Sequence, residues 1–301
     1  MADPFRGTSL RLLLFTVLSV LAMLLLGGGI VGALALHYGL PIGDPSGVFP
    51  TVADRQQLRF VLLLNNLFTF GLSATLALYL TYRHQWPVAV GLVSPTRPRQ
   101  VPAAVGAFLI GLPLIGLSAY LNLQVDLPDW MVRSEDTGNA MLAGVLTFER
   151  LPELLLALLT VAVVPAVCEE LMFRGLLQGR LLTDLAGSHL AVWIAALIFS
   201  AIHVEFAGFV PRLLLGALLG YAYRWTGSLW IPIGLHFLFN GTQVLTTYLS
   251  GEFTPDTEMD TAVTPLMVAG ILSLGAVIYL VWRTESAIGG QPAAVNDDTS
   301  G

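Results

Sequence analysis

Val161-Ala162-Val163-Val164-Pro165-Ala166-Val167-Cys168-Glu169-Glu170-Leu171-Met172-Phe173-Arg174 is an apolar run that abruptly carries two carboxylates and a guanidinium. An ionisable group at bilayer depth is costly, so its default interpretation is a functional site. Residues four apart on a helix share a face, which pairs Glu170 with Arg174. Glu169 is rotated by about 100° from Glu170 and has no local cation. A carboxylate in an apolar setting takes up a proton more readily and can serve as a base near neutral pH. The spacing therefore divides the labour, with Glu169 for chemistry and the Glu170–Arg174 pair for structure. Pro165, four residues before Glu169, is expected to kink the helix and open room for water. The plainer alternative is a cluster of charges at a helix end on the membrane surface.

Two further motifs lie downstream. In Phe199-Ser200-Ala201-Ile202-His203, helical spacing sets the Phe199 ring one turn from the imidazole. Alone, such a histidine is more often an interfacial residue than a ligand. Glu205 follows two residues later and reads as a loop acid. In His236-Phe237-Leu238-Phe239-Asn240, two polar groups share one face well inside an apolar helix. Buried polar groups need partners, so this pair implies an inward-facing polar site or a helix–helix hydrogen bond. The Asn240 carboxamide can donate to a developing oxyanion. His37, His84 and His189 fall at segment ends or in loops. The zincin His-x-Glu-x-x-His, Gly-x-Ser-x-Gly, P-loop and dinucleotide patterns are absent. Ser200 near His203 leaves a Ser/His hydrolase as a minor alternative.

Composition sets the class. Of 301 residues, 55% are hydrophobic and 11% charged, where a soluble domain carries about 25%. The mean hydropathy is +0.75. The chain reads as an all-α polytopic membrane protein. A net charge of −6 argues against nucleic acid as a partner. Cys168, the single cysteine, excludes an internal disulfide and reads as a small buried hydrophobe.

A spanning helix needs about 20 apolar residues. Eight candidates follow, at 10–38, 58–82, 101–123, 153–172, 189–204, 209–223, 229–249 and 262–282. The fifth and sixth are short, and are expected to be tilted or incomplete. The first is too long for an ordinary signal peptide, although Ala33-Leu34-Ala35 resembles a cleavage site, so a retained helix is expected. Arg6, Arg11, Arg83, Arg97, Arg99, Arg174, Arg180, Arg224 and Arg283 fall in one set of loops. Acids dominate the alternate set, with Asp126, Asp129, Glu135 and Asp136, then Glu252, Asp256, Glu258 and Asp260. This bias predicts a multi-pass cell-membrane protein with both termini cytoplasmic, against which only Arg133, Arg150 and Arg212 run. Three regions are expected: residues 1–150 with three spans and their loops, a core at 151–250, and 251–301 with a last span and a disordered tail from Ser286.

The ordered trio Glu-Glu-x-x-x-Arg, Phe-x-x-x-His and His-x-x-x-Asn resembles the CAAX protease and bacteriocin-processing (CPBP) family of intramembrane proteases, which includes Rce1-type prenyl endopeptidases and Abi proteins. The likeness covers about residues 150–250. It implies about eight helices around an intramembrane polar cavity. It also implies an endopeptidase acting on a membrane protein or peptide substrate within the lipid bilayer. By position, Glu169 would activate water, His203 and His236 would support that water or a metal, and Asn240 would stabilise the oxyanion. Glu170, Arg174 and Phe199 would fill supporting positions. A divalent metal such as zinc, held by His203, His236 and Glu169, and a metal-free glutamate-dependent site both remain open. The other function classes are a non-catalytic immunity or scaffold protein of the same fold and a coupled transporter. Simple full spans would set His203 and His236 at different depths. A common site therefore requires a short, tilted or broken fourth or fifth helix.

Overall fold

The computed structural model describes residues 8–44, 47–251 and 263–289. Glycines, prolines and charged residues divide the apolar runs into helices, with no strand among the described residues. The helices are α1 (Ser9–Tyr38), α2 (Val52–Ala89), α3 (Pro98–Asn122), α4 (Asp129–Val145), α5 (Leu151–Ala186), α6 (Ser188–Ala201), α7 (Phe209–Thr226), α8 (Trp230–Ser250) and α9 (Val263–Gly289). Thr51 and Asp54 form a reciprocal capping box at the start of α2, which satisfies two otherwise orphaned N–H groups. α8 stops at Gly251, whose φ of +76° suits a residue without Cβ.

Among the described residues, five helices are long and apolar enough to cross a bilayer: α1, α2, α3, α5 and Val263–Ile288 of α9. α6 has 14 residues and so rises about 21 Å, short of a hydrocarbon core of about 30 Å. α7 and α8 have 18 and 21 residues but are diluted by Arg212 and Arg224 in one and by Asn240, Thr242 and Gln243 in the other. The all-α, multi-pass architecture thus stands, while a count of eight full spans does not follow. Leu25 of α1 and Leu272 of α9 are 78% and 69% exposed, typical of two helices that turn apolar side chains outward along their length. Such faces suit lipid, where apolar exposure carries no penalty.

Two expectations change. The acidic segment after α3 is not a plain loop: Pro128 precedes α4, Asp129 sits in its first turn, and Glu135 is buried. The Glu135 carboxylate accepts the Ala207 N–H, which explains why a nominal loop acid is withdrawn from water. Ser286 to Gly289 continue α9 rather than beginning a tail. Residues 290–301, the acids Glu252, Asp256, Glu258 and Asp260, and Arg6 lie outside the described residues.

α5 lies at the centre, touching α1, α2, α6, α7 and α8. One core gathers Leu12, Leu78, Phe173 and Leu176 from α1, α2 and α5. A second joins α3, α6 and α7 around Phe108, Leu219 and Trp225. The third joins α2, α5 and α8 through Leu58, Ala157 and Val244. Close approach of α6 and α7 rests on Gly216 and Gly220. A Cβ at Gly216 would lie 3.1 Å from Ala196 Cβ, and one at Gly220 would lie 2.9 Å from Val192 Cγ1. Similarly, a Cβ at Gly71 of α2 would lie 2.7 Å from Cys168 Sγ. Cys168 is therefore the small buried filler that its sequence setting suggests. Gly71→Ala should destabilise the protein by about 1–3 kcal/mol through overpacking. Thermal unfolding in detergent measures this loss, and a double Gly71→Ala/Cys168→Ala variant should recover most of it.

Candidate active site

Pro165 begins the local geometry. Without an N–H it cannot donate to the Val161 carbonyl one turn earlier. α5 accommodates this with π-helical turns at Leu158–Val163 and again at Leu171–Leu182. Widened turns of this kind are frequent at functional sites. The carbonyl that Pro165 cannot serve accepts instead from Asn240 Nδ2 of α8, at 3.0 Å. A helix defect in α5 thereby docks the third motif beside the first.

Glu169, Glu170, Arg174 and His236 are all buried, at 5%, 0%, 1% and 2% exposure. Glu170 Oε1 accepts from Arg174 Nη1 at 2.6 Å, as the spacing predicts. The same oxygen also accepts from His236 Nδ1 at 2.8 Å. Glu170 is therefore more than half of an ion pair: it fixes the His236 tautomer with the proton on Nδ1. The His236 Nε2 lone pair is left to accept, and Asn240 Nδ2 donates to it at 3.2 Å. That nitrogen faces Glu169 Oε2 at 4.0 Å. A water bridging the two at this separation can donate one hydrogen to each once Asn240 Nδ2 releases the single Nε2 lone pair. Both protons of the Asn240 carboxamide are engaged, by Val161 O and His236 Nε2, so donation to an oxyanion requires releasing one of them.

Phe199 organises the second motif. Arg174 Cζ sits 4.6 Å from the centre of its ring, a cation–π contact. The ring centroid lies 5.0 Å from that of His203 and 6.1 Å from that of His236. Both histidines thus reach the same aromatic ring, and the depth mismatch is resolved by the short α6 before His203. His203 Nδ1 donates to Phe199 O at 2.7 Å, again leaving Nε2 as an acceptor. The next residue, Val204, has φ +53°, an unusual conformation for a β-branched residue and a point of stored backbone strain. Glu205 pairs with Arg212, as a loop acid would. Ser200 donates to Phe209 O at 2.6 Å, which removes the geometry that a Ser/His hydrolase needs.

Both imidazole tautomers suit a metal ligand, but the ligand atoms do not assemble. No group of three or more His, Cys, Asp or Glu side chains among the described residues is arranged to hold a metal ion. Glu169, His203 and His236 therefore do not form the three-ligand set that the resemblance leaves open, and no chemical step is assigned to a metal.

Two features escape the motif reading. Asn66 of α2 donates through Nδ2 to Glu169 Oε1 at 2.9 Å, and its buried Oδ1 has no partner within the protein. The signal was available, because Asn65-Asn66 is a polar interruption of an apolar run. Asn66→Ala should lower activity about 10- to 100-fold, the usual scale for removing a group that orients a reactive one. A kcat measurement on folded variant checks this. The second feature is a buried charge cluster. Glu153 Oε1 accepts from Arg55 Nε at 3.0 Å and from Arg59 Nη1 at 2.9 Å, and Arg59 Nη2 also donates to Thr147 O at 2.6 Å. This cluster pins α2 against the start of α5 and so sets the register that brings Asn66 to Glu169.

Residues 151–242 match the family model described as Type II CAAX prenyl endopeptidase Rce1-like. The chain is 35% identical over 79 residues to the uncharacterized protein YpbD of Bacillus subtilis, covering 25% of this chain and 37% of that protein. It is 33% identical over 98 residues to the membrane-embedded CAAX protease MroQ of Staphylococcus aureus, covering 31% of this chain and 39% of that protein. The chain thus matches less than two fifths of the length of either relative. No solved structure gives a significant match.

Proposed function

We propose that the chain is an intramembrane endopeptidase of the CAAX protease and bacteriocin-processing family with a glutamate-activated water, a reading supported by the match of residues 151–242 to an Rce1-like family model. The observation that carries this reading is the facing of Glu169 Oε2 and His236 Nε2 across 4.0 Å in a buried setting. In the proposed reaction, water donates one hydrogen bond to each acceptor and turns its lone pair toward the scissile carbonyl. Glu169 takes the proton as the C–O bond forms, then passes it to the leaving amide nitrogen as the C–N bond breaks. Hydroxyl ends on the acyl fragment and hydrogen on the amine, so water is fully accounted for. The unpartnered Asn66 Oδ1 supports a second water beside the reacting one, whose two hydrogens are already engaged, since a buried acceptor needs a donor.

Glu170 holds His236 in the tautomer whose Nε2 is an acceptor, open to water when Asn240 releases it, and Arg174 holds Glu170. Asn240 is assigned the oxyanion once it releases an acceptor, and His203 is assigned to the supporting set. The substrate class is a membrane-embedded or lipid-proximal protein or peptide, with the bulk of the site closed to water. The region assignments carry over from the sequence: helices before residue 150 flank a core at 151–250, with both termini cytoplasmic.

The test offers a panel of membrane-anchored peptides to the purified protein in lipid nanodiscs, with products read by mass spectrometry. Cleavage that persists with a strong chelator is expected, together with a loss of about 10²- to 10³-fold in Asn240→Ala. Abolition by the chelator would remove the metal-free assignment, and no product from any peptide would contradict the peptidase reading.

A further inference from the structure

His203 stands in the turn 202–208 between α6 and α7, two residues past the end of α6. The Val204 φ of +53° is costly, and a turn of this kind keeps its shape only where its surroundings over-determine it. Three side chains of α4 and one of α3 supply those surroundings. The Glu135 carboxylate accepts the Ala207 N–H. Ser134 Oγ donates to Val204 O at 3.2 Å, on the residue next to His203. The Trp130 ring meets the Phe206 ring edge-on, with centroids 5.3 Å apart. From α3, Asn122 Nδ2 donates to Phe206 O at 2.8 Å, and Asn122 Oδ1 accepts the Val210 N–H at 3.2 Å.

Glu135 is the buried member of the α4 set, and it has no ion pair among the described residues. A buried carboxylate without a cation is costly, and its one compensation here is a charge-assisted bond to the backbone of this turn. The far end of α4 is tied as well. Arg59 of α2 donates to Val145 O, on the last residue of α4, from Nε at 3.0 Å and Nη2 at 2.8 Å. A Cβ at Gly144 would lie 3.0 Å from Leu58 Cδ2, so α4 sits directly on α2. Two turns after Arg59, on the same face of α2, Asn66 reaches Glu169. α4 therefore braces the turn that carries His203 against the helix that orients Glu169.

We propose that Glu135 is a positioning residue for His203, acting through the Ala207 N–H to hold the strained turn in the shape that aims the imidazole. The part of His203 in the reaction rests on the peptidase reading; the hold of Glu135 on the turn does not.

Two readouts on the full chain in nanodiscs test it. Diethyl pyrocarbonate labels accessible imidazoles, and peptide mass spectrometry follows each histidine separately. Labelling of His203 should quicken about 10- to 100-fold in Glu135→Ala, the scale of losing a hydrogen bond to a charged acceptor. The exposed His84, on another loop, should label at the wild-type rate. Glu135→Gln keeps a carbonyl for the Ala207 N–H and should quicken labelling by only about 3- to 10-fold, because a neutral acceptor bonds about half as strongly. In cleavage assays at equal folded concentration, kcat should fall in the same order, by about 10- to 100-fold in Glu135→Ala, with KM nearly unchanged. Should Glu135→Ala not fold, the isosteric Glu135→Gln against wild type decides on the same two readouts. Unchanged His203 labelling, or quickened labelling with kcat as in wild type, would overturn the proposal. If wild type itself cleaves no peptide, the peptidase reading fails, and the labelling alone decides whether Glu135 holds His203.

Discussion

Arg174→Met should destabilise the protein by about 3–5 kcal/mol, the usual cost of stripping one partner from a buried ion pair. Arg174 Nη1 lies 2.6 Å from Glu170 Oε1, and both side chains are out of solvent. Its Nη2 donates to Gly216 O of α7 at 3.0 Å, and its guanidinium packs on Phe199. Removing it leaves the Glu170 carboxylate with one donor, His236 Nδ1, and with Oε2 already unpartnered. The companion variant separates charge from chemistry. Glu170→Leu/Arg174→Met removes both charges and should recover most of the lost stability, because apolar pairs of similar volume substitute well for buried ions. Activity should not return, because the His236 Nδ1–H then has no acceptor to fix its tautomer. Chemical or thermal unfolding of the two variants, beside a cleavage assay, checks both halves. A single variant as stable as wild type would show that the pair is not holding α5 against α7.

The three motifs were legible because each places two residues of distinct chemistry one turn apart, at least one of them polar, in an apolar run. Their meeting was less legible. Simple spans predicted a depth mismatch for His203 and His236. The short α6, already indicated by the length of its apolar run, and the widened turns around Pro165, which no hydropathy profile shows, remove it. Glu170 was read only as the partner of Arg174, because its second partner, His236, lies 66 residues away. Asn66 and the Arg55–Arg59–Glu153 cluster lie in α2 and at the start of α5, and their pairing depends on packing between helices, which no local period encodes. α4 was read as a loop because its acids hid the helical pattern; the Ala207 N–H that satisfies Glu135 belongs to a distant turn.

Glu169→Gln carries the largest expected effect on activity. The substitution keeps size and shape, and its side-chain oxygen can still accept from Asn66 Nδ2, which bonds Glu169 Oε1 at 2.9 Å. What it loses is the ability to take a proton from water. Positioned general bases contribute about 10²- to 10⁴-fold to rate, so kcat should fall by that factor with KM nearly unchanged. An unaltered unfolding temperature would show that the loss is chemical. The decisive measurement is the single-turnover rate of peptide cleavage in nanodiscs by wild type and Glu169→Gln at equal folded concentration. The account predicts a drop of at least about 100-fold; equal rates would contradict it.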